Sequence, residues 1–220
     1  MRRARRLPLE ELATYLFEEE RRGRPGASPP GGLIDWRALF GNDRPVEIEV
    51  GFGKGLFLLN SALARPDVNF FGIEIVRKYQ LFTATRMAIR RLANIKLACG
   101  DARHIMRDRV RAESVQAVHV YFPDPWWKKR HHKRRVFTPE FVAACVQALR
   151  PDGCFHIATD VADYFAVMTE LCAARPELRR EATEESNQSA TDYLTNFERK
   201  AKLKAQPVYR ALYRKGEADS

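Results

Sequence analysis

From residue 45 onward, short apolar runs alternate with stretches in which apolar residues recur every three or four positions. Residues 46–50, 69–75, 95–99, 115–122 and 154–159 read as strands. Helical spacing predicts helices over 56–64, 77–92 and 161–174, the second with Arg86, Arg90 and Arg91 on its polar side. Thr138, followed by Pro139 and Glu140, predicts a capped helix running to Leu149. Two weaker strand candidates lie at 178–183 and 208–214. This alternation predicts an α/β fold: a doubly wound, mostly parallel, seven-stranded sheet with helices on both faces. Residues 1–44 lack the pattern. A charged helix is expected over 9–22, broken by the Gly/Pro-rich stretch 23–32. The chain therefore divides into a peripheral extension, 1–44, and one domain, 45–220.

At 220 residues and 45% hydrophobic, the chain suits a single buried core. No apolar run approaches the roughly 20 residues needed to cross a bilayer. The basic N-terminus, Met1 to Arg6, lacks the apolar stretch of a signal peptide, so a cytoplasmic location is expected. The four cysteines (Cys99, Cys145, Cys154 and Cys172) show no CxxC pairing and predict buried free thiols, with no metal site. The net charge of +10 is clustered in 1–6, 21–24, 86–91, 128–135 and 199–204, which favours a polyanionic partner.

In a parallel α/β sheet the ligand site lies beyond the carboxyl ends of the strands, so the residues after each strand carry the chemistry. After the first comes Glu49-Val50-Gly51-Phe52-Gly53-Lys54-Gly55, a turn whose glycines let a ligand approach the backbone. Leu56 stands where a dinucleotide fingerprint has its third glycine, which disfavours a nicotinamide oxidoreductase. Glu74 ends the second strand, suited to ribose hydroxyls, and Asp101 follows the third, suited to an adenine edge. The fourth delivers Tyr121-Phe-Pro-Asp124-Pro-Trp-Trp-Lys128-Lys-Arg130-His131-His132-Lys133-Arg134-Arg135. An acid between prolines, two tryptophans and a dense cationic run suit a nucleobase joined to phosphates.

The order glycine turn, Glu, Asp resembles the S-adenosylmethionine site of class I methyltransferases, a Rossmann-like fold. The string from Tyr121 to Arg135 closely resembles the bacterial tRNA (guanine-N7-)-methyltransferase family. The segments Glu49 to Gly55, Phe71-Gly-Ile-Glu74-Ile, Ala158-Thr-Asp160 and Thr195-Asn-Phe-Glu198 support it in the family's order. The resemblance implies transfer of a methyl group from S-adenosylmethionine to N7 of a variable-loop guanine, position 46, of tRNA. It implies cofactor contacts by Glu49, Gly51, Gly53, Gly55, Glu74, Asp101 and Asp124, with Asp124 also catalytic through positioning and electrostatics. Substrate contacts fall to Lys128, Asp160, Thr195, Asn196, Phe197 and Glu198, and RNA contacts to Arg130, His131, His132, Lys133, Arg134 and Arg135. It also implies tRNA as the partner and no obligate protein partner, with the chain expected to be a monomer or homodimer. The alternatives are another class I RNA or small-molecule methyltransferase, or a non-catalytic RNA-binding protein. Asp160 on its own residues reads equally as a helix cap.

Overall fold

The computed structural model describes residues 6–17, 32–182 and 207–216. Strand β1 is Leu16–Phe17, β2 Val46–Val50, β3 Asn69–Glu74, β4 Ile95–Cys99, β5 Val115–Tyr121, β6 Leu149–Thr159, β7 Leu178–Arg180 and β8 Tyr209–Lys215. They form one sheet in the order β1-β4-β3-β2-β5-β6-β8-β7. All neighbours pair in parallel except at β8, which is antiparallel to β6 and β7. The helices are α1 Leu9–Leu12, α2 Trp36–Phe40, α3 Leu56–Ala64, α4 Arg77–Arg90, α5 Ala102–Asp108, α6 Pro139–Ala148 and α7 Ala162–Ala173. None of them is long and apolar enough to cross a membrane.

The expected doubly wound α/β architecture is present, with eight strands among the described residues where seven were expected. The additional one is β1, inside the stretch predicted as a charged helix over 9–22. There the chain forms α1, a 3-10 turn Ala13–Tyr15, and then β1. Leu16 and Phe17 pair with Leu97 and Ala98 at the sheet edge, so long-range pairing overrides local helix propensity. Leu12 is fully buried, so α1 also contributes to the core.

The core has two layers because β2 alternates. Val46, Ile48 and Val50 join α5, α6 and α7 on one face, while α3 and α4 cover the other around Phe70, Leu58 and Leu97. Thr138 caps α6 as its sequence predicts, its hydroxyl accepting from Phe141 N at 3.2 Å. The strand expected over 154–159 instead begins at Leu149. It pairs with β5 there and again from Cys154, with an irregularity around Pro151, Asp152 and Gly153.

On the α3 face, Glu47 of β2 is buried in a polar network. Arg65 donates to both its oxygens (2.6 and 2.8 Å), and His119 Nε2 lies 3.0 Å from Oε2. His119 Nδ1 in turn lies 3.0 Å from the Tyr121 hydroxyl, and its ring stacks on His156 with centroids 4.6 Å apart. Burial pushes Glu47 up, but the hydrogen bonds and charges of His119 and Arg65 outweigh it and bring its pKa to about 2. Burial, then the neighbouring His119, depresses His156 to about 3.

Both groups bind fewer protons when folded than unfolded, so both contribute stability that is lost on acidification. His156 loses it as pH falls from its ordinary 6.5 toward 3; Glu47 loses it below 4.5. Each such group contributes a slope of up to about 1.4 kcal/mol per pH unit. The melting temperature should therefore fall between pH 7 and pH 5, and His156→Gln should flatten that fall. An unchanged pH profile of thermal unfolding in the variant would remove His156 as the cause.

Candidate functional site

In a doubly wound sheet, ligands sit where the strand order reverses. That point is the β2–β5 pair, because α3 and α4 carry the chain toward β4 on one face while α6 carries it to β6, and α7 onward from there, on the other. The loops after β2 and β5 leave the sheet side by side. Glu74 lies one strand to one side with Asp101 beyond it, and Asp160 one strand to the other.

After β2 the glycine turn folds back on its neighbour: Gly51 N donates to Ile73 O at 2.8 Å and Gly55 N to Phe52 O at 2.7 Å. Gly51, Gly53 and Gly55 all have positive φ (77°, 51° and 64°). A Cβ on Gly55 would collide with Thr83 of α4, which closes the turn onto that helix. Gly51 and Gly53 border open space, with nothing within 4 Å of an added Cβ, so the turn leaves room beside its backbone.

Glu74 organises this turn. One of its carboxylate oxygens accepts from Gly53 N and the other from Val76 N, each at 2.9 Å. Glu49 is only 4% exposed, and its Oε2 has no hydrogen-bond partner. Burial, reinforced by the charge of Glu74, raises its carboxyl to about 8. A buried acid with one oxygen left unpaired beside a second acid, at the base of an open glycine turn, suits a ligand with a cationic end. The amino-acid portion of S-adenosylmethionine has that chemistry, so these residues fit that cofactor.

Asp101 caps α5 and is held by Arg103, whose backbone N donates at 3.0 Å and whose guanidinium Nη2 lies at 2.6 Å. Burial pushes its carboxyl up, but hydrogen bonds from Arg103 and the charges of Arg103 and His104 leave it below the usual range.

The loop after β5 is braced at both ends. Phe122 and Trp126 flank Pro123-Asp124-Pro125 with φ of 51° and 47°, unusual for residues with bulky side chains. Phe122 N donates to Ala158 O at 2.7 Å. Arg135 Nε donates to Pro125 O at 2.8 Å while its guanidinium lies 4.6 Å from the centroid of buried Tyr164. Trp126 sits between Arg134, 5.0 Å from its ring centroid, and the edge-on ring of His131. Asp124 is exposed between these anchors, and Trp127 is 72% exposed.

The cationic run forms a 3-10 segment, Lys129–Arg134. Arg130, His132, Lys133 and Arg134 are exposed, whereas His131 and Arg135 turn inward to brace the Asp124 loop. Arg103 Nη1 donates to Lys133 O at 3.3 Å, tying the run to the first turn of α5. Lys128 and Asp160 are exposed. Asp160 does not cap α7, whose N-cap residue is Val161, with Val161 N donating to Thr159 Oγ1 at 3.2 Å. Thr195, Asn196, Phe197 and Glu198 lie outside the described residues.

Sequence reasoning passed over Ile75, which it placed inside a strand. It is 69% exposed just past Glu74, an apolar surface at the ligand edge. It also passed over the tethering roles of Arg103 and Arg135. An apolar residue directly after a strand-ending acid was the available signal for Ile75; nothing local marks the two arginines, whose partners are 10 or more residues away or set by loop geometry.

Residues 43–211 match a family model described as a putative methyltransferase. The chain is 45% identical over 195 residues to a tRNA (guanine-N(7)-)-methyltransferase of Rhodopirellula baltica, covering 83% of this chain and 70% of that protein. It is 42% identical over 149 residues to one from Bordetella parapertussis, covering 68% of this chain but only 59% of that protein. Among solved structures it is similar to the aminoglycoside resistance methyltransferase NpmB1, with a TM-score of 0.55 at 16% identity, covering 86% of this chain and 96% of that one. The last likeness concerns the fold alone, whereas the family-model match spans the glycine turn, the Asp124 loop and the cationic run, and by its sequence relatives the chain belongs to the tRNA (guanine-N(7)-)-methyltransferase family.

Proposed function

We propose that this chain methylates N7 of a guanine in the variable loop of tRNA, at position 46, with S-adenosylmethionine as methyl donor. One observation carries the reading: Asp124, exposed on a loop braced at both ends, stands beside a glycine turn floored by Glu49 with its Oε2 unpaired, with exposed cations folded behind it. Two residues of that loop adopt left-handed backbone conformations costing about 1–3 kcal/mol each. Such strain is maintained when it places a group that function requires.

S-adenosylmethionine, when bound, supplies the electrophilic methyl group. Glu49 would hold its cationic amino-acid end, Glu74 its ribose hydroxyls, Asp101 the adenine edge, and Ile75 an adenine face. Gly51 and Gly53 leave the space beside the turn. Guanine N7 carries a lone pair and no proton, so the protein has no base to supply. Its task is alignment and exclusion of water, a contribution of proximity and orientation. Asp124 holds the guanine N1–H and amino group and stabilises the positive charge that spreads onto the ring. Lys128 and Asp160 flank that position, and the exposed Trp127, rather than the clamped Trp126, is the indole free to meet a base. Arg130, His132, Lys133 and Arg134 present the cationic face to phosphate. The chain acts in the cytoplasm, without an obligate protein partner, as a monomer or homodimer.

The deciding experiment is methyl transfer from labelled S-adenosylmethionine to unmodified tRNA, with the product located by borohydride–aniline cleavage. Cleavage at a variable-loop guanine is the expected result; label elsewhere would refute the N7 assignment. Asp124→Ala should lower kcat by about 10²–10³ through loss of the positioned carboxylate, and retention of the wild-type kcat would exclude its catalytic role. Glu49 gives a second test. Its folded pKa of about 8 lies above the ordinary 4.5, so its contribution to ligand-free stability is present below pH 4.5 and lost as pH rises to 8. Glu49→Gln should therefore make the ligand-free protein relatively more stable at pH 8. It should also weaken S-adenosylmethionine binding roughly 10- to 100-fold, the loss of one charge-assisted hydrogen bond. Calorimetry showing unchanged affinity would remove Glu49 from the cofactor site.

A further inference from the structure

Helix α4 carries a surface that the reaction does not use. Between Glu74 and Asp101 the chain has no acidic residue in 26 positions, but six cations: Arg77, Lys78, Arg86, Arg90, Arg91 and Lys96. Arg77, Lys78, Arg90 and Arg91 are exposed. The solvent side of the same helix bears Tyr79 (36% exposed), Phe82 (40%) and Ile89 (56%). With Arg86 these occupy positions three and four apart, one stripe along the helix. Arg86 places its guanidinium 5.7 Å from the Phe82 ring centroid and donates to Lys54 O, which joins the stripe to the glycine turn. Because β3 and β5 flank β2, α4 leaves the ligand edge on one side of the turn and the cationic run on the other.

We propose that the solvent face of α4 is a second contact surface for the polynucleotide substrate, with Arg77, Lys78, Arg90 and Arg91 meeting phosphates and Tyr79 and Phe82 meeting unstacked bases. The proposal rests on the tRNA-methyltransferase reading and extends it from the reacting base to the body of the substrate. Charge selects this occupant. A second copy of the chain, itself at +10, would set these cations against like charge in a symmetric contact. Exposed aromatics interleaved with cations, on a helix that carries no acid of its own although Glu10 and Glu11 of the adjoining α1 lie on an element packed against it, match the requirements of an unpaired strand, whose bases stack and whose phosphates release counterions on binding.

The test uses the full-length protein and unmodified tRNA. In one variant Arg77, Lys78, Arg90 and Arg91 are all replaced by Gln. In a control of equal net charge, Arg37, Arg111, Arg150 and Arg179, exposed elsewhere in the chain, are replaced instead. The α4 variant should bind tRNA at least about tenfold more weakly near physiological salt, and its log Kd–log salt slope should be smaller by about three. Its S-adenosylmethionine affinity and its kcat at saturating tRNA should stay within about twofold of wild type, the loss appearing in the KM for tRNA. A Tyr79→Ser, Phe82→Ser variant should bind tRNA more weakly with an unchanged salt slope. Equal weakening in the control, or an unchanged Kd and slope in an α4 variant that still binds S-adenosylmethionine, overturns the proposal. Binding of the wild type to phosphatidylglycerol vesicles, abolished in an α4 variant whose tRNA affinity is intact, would assign the surface to lipid and overturn it as well. Failure of the underlying reading is distinct: the wild type itself would form no 7-methylguanosine in tRNA.

Discussion

β2 and β5 lie side by side in parallel, with Glu47 opposite Ala117 and Val50 opposite Val120, and the site depends on this pairing. A parallel pair cannot be joined by a tight turn, so each strand must leave its carboxyl end by a loop that feeds a crossover. Here the two loops depart toward opposite faces, and the gap between them is the one place where both backbones remain within reach of a single ligand. The glycine turn and the Asp124 loop are separated by about 70 residues of chain and about one strand spacing in space. The cofactor chemistry of the first and the base-binding chemistry of the second meet for that reason.

Beneath the site the same strands are joined by charge. Glu47, Arg65 and His119 satisfy one another, and His119 also reaches Tyr121, the last residue of β5 before the strained loop. A buried carboxylate is tolerated because each of its oxygens is hydrogen-bonded. The network fixes Tyr121, Phe122 N bonds to Ala158 O, and Arg135 holds Pro125 O from the far side. Asp124 is thereby positioned by contacts that touch neither its own side chain nor a ligand.

The ligand edge itself is arranged against stability. Glu49 is buried beside Glu74 with its Oε2 unpaired, and Phe122 and Trp126 hold left-handed conformations. Each is a local cost offset by the packed layers on either side of the sheet. Glu74 is the counter-example, since it serves the turn even without a ligand by accepting from Gly53 N and Val76 N. Of these two acids, Glu74 shapes the turn and Glu49 keeps one oxygen for a ligand to satisfy.

Much of this was legible in the chain. The β-α alternation, the Thr138 cap, the glycine turn and the acids at successive strand ends follow from periodicity and local chemistry, which neighbouring residues decide among themselves. The string from Tyr121 to Arg135 identified the family, because an acid between prolines followed by tryptophans and cations is a rare combination. What depended on distant partners was not legible. Leu16 and Phe17 form an edge strand because β4 offers unpaired backbone, and no residue near them signals it. His131 and Arg135 read as part of a uniform cationic run, yet they turn inward because Trp126, Pro125 and Tyr164 lie behind them. Asp160 read equally as a helix cap, and the backbone placed Val161 at that position instead. Residue type and spacing determined which chemistry the chain carries. Only the folded sheet decided which of those groups face a ligand and which brace their neighbours, because that choice is made by contacts between residues far apart in sequence.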